Sequence, residues 1–349
     1  MRIGMVSPGY PPTLGGVEVV VARTATALVR AGHTVEVLAA DRARTSVTED
    51  EGVVVRRFRS SRSVNFPVAP GLWRYVRAFG ERYDVLHGHG YHTLGALGAA
   101  LVAPRARFVF SPHYHGTGHS APRAVLHHVY RPVGRLGFRR AETVVCVSEA
   151  EARIVRAHFP GTRTRIHVVP NAVDVAGIQA AQPFADGGGA PTVLSVGRLE
   201  PYKRVDRLIR AFASVPARLV VIGDGPDRAR LEGLAGDRVR FLGRIDDGEL
   251  WRWYRTARVV CSLSEHEAFG LTAAEAVAAG ARVVLSDIPA HAELGRATRL
   301  VSAAACDAEV AAVLTEVLRD KGPGPSADGM PTWDDVAARL VELYDRSAL

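Results

Sequence analysis

Two acidic residues, Glu267 and Glu275, stand eight positions apart in a segment whose pattern changes from strand to helix. Residues 259–261 form a short apolar run that predicts the end of a buried strand, and apolar residues within 271–278 follow helical spacing. Gly280 predicts the end of that helix. Loops at the carboxyl ends of parallel strands bind ligands in open α/β sheets, and the free N–H groups of the following helix favour an anion. The segment therefore predicts a polar ligand pocket with affinity for phosphate.

A second group of charges, Arg198 and Lys203, follows another predicted strand and its glycine, Gly197. Arginine can bind a phosphate through two parallel N–H bonds, and lysine supplies a compact positive charge. A diphosphate needs partners of this kind. The spacing of these residues after a strand predicts a diphosphate-binding site.

The stretch from Glu267 to Glu275, Glu-Ala-Phe-Gly-Leu-Thr-Ala-Ala-Glu, resembles the E-x7-E signature of the retaining nucleotide-sugar glycosyltransferases of family four. Other segments extend the resemblance over nearly the whole chain, although Ala172 stands where the family usually has glycine. These segments are Gly15-Gly16 in the first loop, His113 after a strand, Pro170-Asn171-Ala172-Val173-Asp174, Gly197-Arg198-Leu199 with Lys203 and Asp206, and residues 239–245.

The resemblance implies a role for each matching residue. Arg198 and Lys203 would stabilise the departing diphosphate, Glu267 would hold hydroxyls of the donor sugar, and His113 would contact that sugar near the reacting carbon. Glu275 would bind the ribose hydroxyls. The implied donor-binding set is Gly15, Gly16, Gly197, Arg244, Ile245, Phe269, Gly270, Leu271 and Glu275.

The resemblance also implies the fold, two Rossmann-like doubly wound α/β domains that face a cleft (the GT-B fold). Residues 1–175 would bind the acceptor and residues 176–330 the nucleotide sugar, whereas residues 331–349 would form a helix that crosses back to the first domain. The Ala- and Gly-rich residues 179–190 are predicted to be the linker. No G-x-G-x-x-G motif is present, which disfavours a dinucleotide-dependent dehydrogenase.

The expected activity is retaining transfer of a hexose of the glucose, N-acetylglucosamine or mannose type from a nucleoside diphosphate sugar, with UDP favoured. The acceptor would be a hydroxyl of a small molecule or of a lipid or cell-envelope component. Two alternatives stay open: a nucleotide-sugar epimerase on the same fold, and a non-catalytic nucleotide-sugar binder that would have lost Glu267 or Arg198. We expect neither a cofactor nor a metal, since the sequence contains no Asp-x-Asp motif.

Charge is distributed unevenly along the chain. Residues 1–175 contain 23 Arg, no Lys and 12 acidic residues, giving +11, whereas residues 176–349 contain 21 basic and 24 acidic residues, giving −3. A basic first half could attract an anionic acceptor or a membrane surface, notably through the basic helical segment 123–140, or could simply be solvated. Nucleic acid is disfavoured as a partner. Residues 41–83 are rich in arginine and irregular in pattern, but a strand edge and an amphipathic helix would explain these arginines.

The chain begins with a predicted strand and has no apolar run long enough to span a membrane. We therefore expect a cytoplasmic protein that can work at the inner face of the membrane. Its cysteines lie far apart without metal-like spacing, which favours reduced structural thiols. These are Cys146, Cys261 and Cys306.

Histidines concentrate in the loops after two predicted strands. Zinc normally needs three or four ligands, and no Cys or acidic residue joins these histidines at a suitable spacing. For His113 we favour a role in which the imidazole donates a hydrogen bond to a sugar hydroxyl, with a structural role as the alternative. For the other histidines we favour a structural role. The whole group is His87, His89, His92, His113, His115 and His119.

Overall fold

The computed structural model describes residues 1–12, 15–61, 67–103, 106–116, 121–160, 165–185, 189–295 and 298–345, without the side chains of 121–129 and 165. His119 of the histidine group lies outside these ranges. The chain divides into two compact units. The first contains Met1–Asn171 and the C-terminal segment from Trp333, and the second contains Ala172–Thr332.

The first unit is an eight-stranded sheet in the order β3-β4-β2-β1-β5-β6-β7-β8, in which only the β3–β4 pair is antiparallel. Its strands are β1 (Arg2–Ser7), β2 (Thr34–Asp41), β3 (Ser46–Asp50), β4 (Val53–Arg59), β5 (Val85–His89), β6 (Phe108–Ser111), β7 (Thr143–Cys146) and β8 (Arg165–Val168). Its helices are α1 (Gly16–Arg30), α2 (Pro70–Phe79), α3 (Leu94–Val102), α4 (Ala121–Arg140) and α5 (Glu149–His158), with a 3-10 turn at Gly80–Arg82.

The second unit is a parallel six-stranded sheet in the order β11-β10-β9-β12-β13-β14. Its strands are β9 (Thr192–Val196), β10 (Arg218–Ile222), β11 (Val239–Gly243), β12 (Val259–Ser262), β13 (Arg282–Ser286) and β14 (Thr298–Val301). Its helices are α6 (Val175–Ala180), α7 (Val205–Phe212), α8 (Arg228–Leu234), α9 (Asp247–Thr256), α10 (Leu271–Ala278), α11 (Pro289–Ala292) and α12 (Asp307–Arg319), with a 3-10 turn at Pro201–Lys203.

Both faces of the second sheet are covered, as its apolar strands require. Successive side chains of a strand point to opposite faces. Accordingly Val193 packs in the cluster that contains α7 and α12, and Leu194 packs in the cluster that contains α10. Two doubly wound α/β units were predicted, and the structure confirms them.

The structure corrects the predicted linker at 179–190. The division between the units falls after Asn171, and α6 already belongs to the second unit, where Ile178 is fully buried. Asp174 begins this helix by accepting a hydrogen bond from the N–H of Gly177 at 2.9 Å. Ala and Gly content misled the prediction, because a single large apolar residue is enough to anchor so short a helix.

The arginine-rich residues 41–83, predicted to be irregular, contain β3, β4 and α2. Arg56 on β4 donates to Glu36 on β2 at 2.7 Å, and the hydroxyl of Tyr83 donates to the same carboxylate at 2.6 Å. The guanidinium of Arg56 also lies 4.5 Å from the ring centre of Tyr75. These contacts give Arg56 a structural role, in agreement with the strand-and-helix interpretation.

The last helix, α13 (Trp333–Asp345), packs against α1 of the first unit, as the sequence predicts. Tyr344 is fully buried there, and its hydroxyl lies 2.7 Å from Nδ1 of His87 on β5. Its backbone carbonyl accepts a hydrogen bond from Arg107. An exposed ion pair between Arg30 and Asp334 joins α1 to α13 at 2.7 Å. The C-terminal helix is thus fixed to the first sheet by a buried polar contact.

We predict that Tyr344→Phe lowers the free energy of unfolding by about 1–3 kcal/mol, because a buried ring nitrogen of His87 loses its partner. Urea denaturation of the full chain measures this difference. The control is Arg339→Ala on the same helix, which removes only an exposed ion pair with Glu342 and should cost no more than about 0.5 kcal/mol. Equal stabilities of Tyr344→Phe and the parent chain would show that the contact contributes nothing.

Candidate active site

Two glycine turns bring the loops of the second unit together at the carboxyl edge of its sheet. Gly197 after β9 has a φ of 148° and donates its N–H to the carbonyl of Ile222 at 3.0 Å. Gly223 after β10 has a φ of 130°, and a Cβ atom there would lie only 1.9 Å from the carbonyl oxygen of Gly197. Only glycine permits this approach of two backbones. The loop that carries Arg198 and Lys203 is thereby fixed against its neighbour.

An ion pair between Lys203 and Glu267 forms the centre of the site. Nζ of Lys203 lies 2.6 Å from Oε1 of Glu267, and the two side chains are only 18% and 16% exposed. The backbone strengthens the connection, because the N–H of Glu265 donates to the carbonyl of Tyr202 at 2.9 Å. The sequence assigned both charged residues to the site but did not predict that they would pair with each other.

The pair keeps both groups charged although burial opposes it. Burial raises the pKa of the Glu267 carboxyl, but the ammonium of Lys203 more than offsets this, and the pKa ends below its ordinary value. Burial likewise lowers the pKa of Lys203, and the carboxylate reverses the direction, so that this pKa is raised. The site therefore holds one fixed positive and one fixed negative charge at neutral pH.

Arg198 supplies a further positive charge at this edge. Its side chain is 48% exposed, and Nη2 lies 3.2 Å from Oε1 of the buried Glu200. Its charge acts on the pKa of Lys203, in the downward direction. Two cations, Lys203 and Arg198, thus stand beside two carboxylates, and the half-exposed side chain of Arg198 can also reach a ligand.

Helix α10 begins at the same edge. Gly270 precedes it in the left-handed conformation, with a φ of 96°, and Leu271 is its first residue. Glu275 lies in the second turn and accepts a hydrogen bond from the hydroxyl of Tyr254 at 2.8 Å. Tyr254 is fully buried on α9 and was missed by the sequence reasoning, because its position among Trp251 and Trp253 looks only like an apolar helix face.

Other predicted donor-binding residues lie apart from this pair. Arg244 and Ile245 follow β11 at the outer side of the sheet, where Arg244 is exposed and Ile245 packs against the core. Phe269 is partly buried beside that same core. The structure brings Arg198, Lys203 and Glu267 together, and leaves the contribution of these flanking residues as a prediction.

The remaining predicted residues belong to the first unit. Gly15 precedes α1, and a Cβ atom at this position would lie 2.2 Å from the carboxylate of Glu18. Gly16 is the first residue of α1, and a Cβ atom there would meet none of the described atoms within 4 Å. Packing therefore does not explain glycine at 16, and open space lies next to its backbone.

His113 follows β6 in the left-handed conformation, with a φ of 48°. Burial lowers the pKa of its imidazole to about 4, and Nε2 lies 3.2 Å from Nδ1 of His89. The next residue is held by Glu151, whose carboxylate accepts the N–H of Tyr114 at 2.5 Å and that of Val147 at 2.7 Å. The ring of His113 is therefore uncharged and its backbone is anchored.

Ser148-Glu149-Ala150-Glu151 has the sequence pattern of a capping box, in which the glutamate side chain would accept the backbone N–H of Ser148. Ser148 does begin α5, where its hydroxyl accepts the N–H of Glu151 at 3.0 Å. The Glu151 side chain instead supports the loop after β6, and burial raises its pKa to about 8. A local pattern could not reveal this contact, because Tyr114 is 37 positions away along the chain.

In the described ranges no group of three or more His, Cys, Asp or Glu side chains is placed to hold a metal ion. Within the same ranges no helix is both long and apolar enough to span a membrane.

Solved structures share this two-domain arrangement of the chain. The sucrose-phosphate synthase of Thermosynechococcus elongatus superposes with a TM-score of 0.83 at 22% identity, covering 99% of this chain and 98% of the other. Anabaena HepE in complex with UDP and glucose superposes with a TM-score of 0.69 at 18% identity, covering 100% and 98%. The protein therefore has the GT-B fold of the glycosyltransferases.

The sequence comparisons define the family within this class. Residues 14–176 match the model "Glycosyltransferase Family 4", and residues 180–327 match "Glycosyl transferases group 1". The phosphatidyl-myo-inositol mannosyltransferase of Mycolicibacterium smegmatis is 32% identical over 374 residues, covering 99% of this chain and 94% of that protein. The counterpart from Mycobacterium leprae is 30% identical over 388 residues, covering 100% and 97%. The chain belongs to glycosyltransferase family 4, as its motifs indicated.

A GDP-mannose-dependent alpha-mannosyltransferase of Mycolicibacterium smegmatis is also similar. It is 30% identical over 311 residues, which cover 82% of this chain and 80% of the relative.

We predict that Lys203→Met destabilises the protein by about 3 kcal/mol at pH 7 or somewhat less, because a largely buried carboxylate loses its cation and the site is partly exposed. The folded-state pKa of Glu267 lies below its ordinary 4.5. The pair therefore stabilises the fold above that value and loses its effect as pH falls through the lower, folded pKa. Denaturation of the parent and the variant from pH 7 to pH 3 should show that the difference between their free energies of unfolding shrinks below pH 4.5.

The matched control is the double variant Lys203→Met with Glu267→Leu, which removes both charges and should recover much of the lost stability. A destabilisation that persists unchanged at pH 3, or is equally large in the double variant, would mean that packing of the lysine stem and not the ion pair is responsible.

Proposed function

We propose that the protein transfers mannose, with retention of anomeric configuration, from GDP-mannose to a hydroxyl of a lipid-linked polyol. The observation that carries this proposal is the Lys203–Glu267 pair near Arg198, which puts two cations at the edge where open α/β sheets bind ligands. The sequence alone favoured UDP as the nucleotide. The similarity to phosphatidyl-myo-inositol mannosyltransferases and to a GDP-mannose-dependent alpha-mannosyltransferase favours GDP-mannose and a phosphatidyl-inositol-like acceptor.

The two cations suit the departing diphosphate. Negative charge grows on the phosphate oxygen as the bond to the sugar breaks, and fixed positive charges at that place lower the barrier. Arg198 can offer two parallel N–H donors from its exposed side, and Lys203 a point charge. The N–H groups at the start of α10, after Gly270, add to this field. A metal ion is then unnecessary, and we propose metal-independent transfer.

Glu267 and Glu275 would bind different parts of the donor. Glu267 would accept hydrogen bonds from sugar hydroxyls while it remains ionised beside Lys203. Glu275 would accept them from the ribose, with Tyr254 fixing the orientation of its carboxylate. The backbone around Arg244 and Ile245 would contact the base, and that of Phe269, Gly270 and Leu271 the phosphate and sugar.

In the reaction the bond between the anomeric carbon and the phosphate oxygen breaks, and the acceptor oxygen bonds to the same face of that carbon. The released phosphate oxygen takes the acceptor proton, so that the products are the glycoside and the free nucleoside diphosphate. His113 would contact the donor sugar near this carbon as an uncharged imidazole. Gly15 and Gly16 would let the backbone before α1 approach the donor.

Incubation with GDP-mannose and phosphatidylinositol in excess EDTA tests the proposal. We expect an alpha-linked mannolipid and GDP in equal amounts, identified by NMR of the product. Glu267→Gln should depress turnover far more than it weakens GDP binding, measured by calorimetry. A beta-linked product would contradict retention, a need for added magnesium would contradict the fixed-cation site, and a free altered nucleotide sugar would identify an epimerase.

A face of α4 supports an acceptor at a membrane surface. Val133 and Leu136 are 45% and 39% exposed, and the exposed Arg139 continues their three-residue spacing along the helix; Arg135 is exposed as well. An interfacial helix combines these features, because apolar side chains enter the headgroup region and cations attract anionic lipids. We propose that this face binds the inner surface of the membrane and that the enzyme is otherwise cytoplasmic.

We predict that the protein co-sediments with vesicles containing phosphatidylinositol or phosphatidylserine but not with neutral phosphatidylcholine vesicles. Binding should weaken with salt, since screening acts over about 8–10 Å at physiological ionic strength. Arg139→Glu and Leu136→Glu should reduce it, whereas Arg319→Glu on α12 of the second unit, an equal change of charge, should have little effect. Equal losses in all three variants would point to net charge and not to the α4 face.

A further inference from the structure

One face of the first sheet carries a row of three imidazoles. His87 and His89 alternate with Gly88 on β5 and so share a face, with ring centres 4.1 Å apart. The rings of His89 and His113 lie edge to edge, with centres 5.5 Å apart and planes 22° from parallel, and Nδ1 of His89 lies 3.2 Å from Nε2 of His113. The row therefore connects the buried interior of the unit to the predicted sugar-contacting residue.

The inner end of the row is fully paired. Nδ1 of His87 lies 2.7 Å from the hydroxyl of Tyr344, and its Nε2 lies 2.9 Å from the hydroxyl of Ser111. His87 is thus held from both sides and acts as a wall for the ring of His89.

His89 and His113, the outer pair, are joined by one N–H···N hydrogen bond. Burial lowers the pKa of His89 well below its ordinary value and that of His113 to about 4, so both rings are uncharged at neutral pH. In an N–H···N bond between neutral imidazoles one ring donates and the other accepts. If His113 donates from Nε2, its Nδ1 is an acceptor and His89 carries its proton on Nε2. If His89 donates from Nδ1, both assignments are reversed.

The two arrangements differ at Nε2 of His89, which carries a proton when His113 donates and none when His89 donates. Among the described residues, buried Nε2 of His89 and buried Oγ of Ser7 both lack a hydrogen-bond partner, although each residue is only 2% exposed. Strands β1 and β5 are parallel with Val6 opposite Gly88, so Ser7 lies beside His89 on the same face. A buried polar atom without a partner is costly. A hydroxyl group that bonds to both atoms would satisfy them, and a change in its partners would shift the balance between the two directions of the bond to His113.

We propose that His89 is a positioning residue: its Nδ1 holds the ring of His113, and its Nε2, with Ser7, binds a hydroxyl group of water or of a sugar whose hydrogen bonds set the balance between the two His113 tautomers. The inference rests on the proposed function for the role of His113 in transfer, but the contact itself does not depend on activity. Glu151 already anchors the backbone after His113, so the imidazole ring is the part that His89 holds.

Nitrogen NMR of the full-length, ¹⁵N-labelled protein tests the contact without substrate. We expect a scalar coupling across the hydrogen bond between Nδ1 of His89 and Nε2 of His113, and a changed ratio of His113 tautomers in Ser7→Ala. Absence of the coupling, or an unchanged tautomer ratio in Ser7→Ala, overturns the proposal. Adding GDP-mannose or myo-inositol separates the sources, because a shift at Nε2 of His89 identifies a sugar hydroxyl and an unchanged resonance a water molecule.

Two substitutions of His89 test its effect on turnover. His89→Asn keeps a polar group near the Nδ1 position, and His89→Gln keeps one near the Nε2 position. We expect kcat to fall about 10²-fold in His89→Gln with little change in the donor KM, since a misplaced group near the reacting atoms costs that much. The fall should be smaller in His89→Asn. Tyr344→Phe is the control, which perturbs His87 and stability but should retain kcat and the coupling.

Equal losses of kcat in the two His89 variants, or a loss confined to KM, would overturn the positioning role. If the coupling is present and the tautomer ratio responds to Ser7→Ala, but the parent protein transfers no mannose, then the proposed function fails and the paired histidines stand.

Discussion

The parallel direction of the six strands of the second sheet is the constraint on which the site depends. Each loop that follows a strand must emerge at the same edge, because every helix returns the chain to the opposite end. Lys203 after β9 and Glu267 after β12 are 64 positions apart in the chain and yet meet at 2.6 Å. The glycines after β9 and β10 serve the same constraint, since neighbouring loops emerging at one edge must pass closer than a Cβ atom allows.

The ion pair at this edge suits a binding site because keeping its two charges partly buried costs desolvation free energy. Removing an ammonium and a carboxylate from water costs several kcal/mol for each, and their attraction repays this only with good geometry. The ammonium and the carboxylate would both gain from further polar partners, so the site is suited to a ligand that brings both charges and hydroxyls. A sugar diphosphate would do this, since its phosphate could bind Lys203 while its hydroxyls donated to Glu267.

Much of this was predictable from the sequence. The resemblance to family four implied the two doubly wound units, and in a parallel sheet the polar residues that follow the predicted strands then share an edge. Side-chain contacts between residues that are distant in the sequence were not predictable. The partners Lys203 and Glu267 were each assigned a ligand, because spacing says which residues reach an edge but not which side chains face each other. Glu151 and Tyr254 were missed for a related reason: each looks like an ordinary residue of its own helix and acts on a loop or a helix elsewhere in the sequence.

Burial then sets the chemistry that each unit can perform. In the second unit burial is opposed by an ion pair, so Glu267 and Lys203 stay charged and can stabilise charge that develops on a ligand. In the first unit no such pair accompanies the described atoms of the histidine row, and burial keeps those imidazoles neutral. A neutral imidazole can both donate and accept a hydrogen bond, which suits a hydroxyl better than a phosphate. The same physical cost therefore produces a charged surface in one unit, which would suit a diphosphate, and an uncharged surface in the other, which would suit hydroxyl groups.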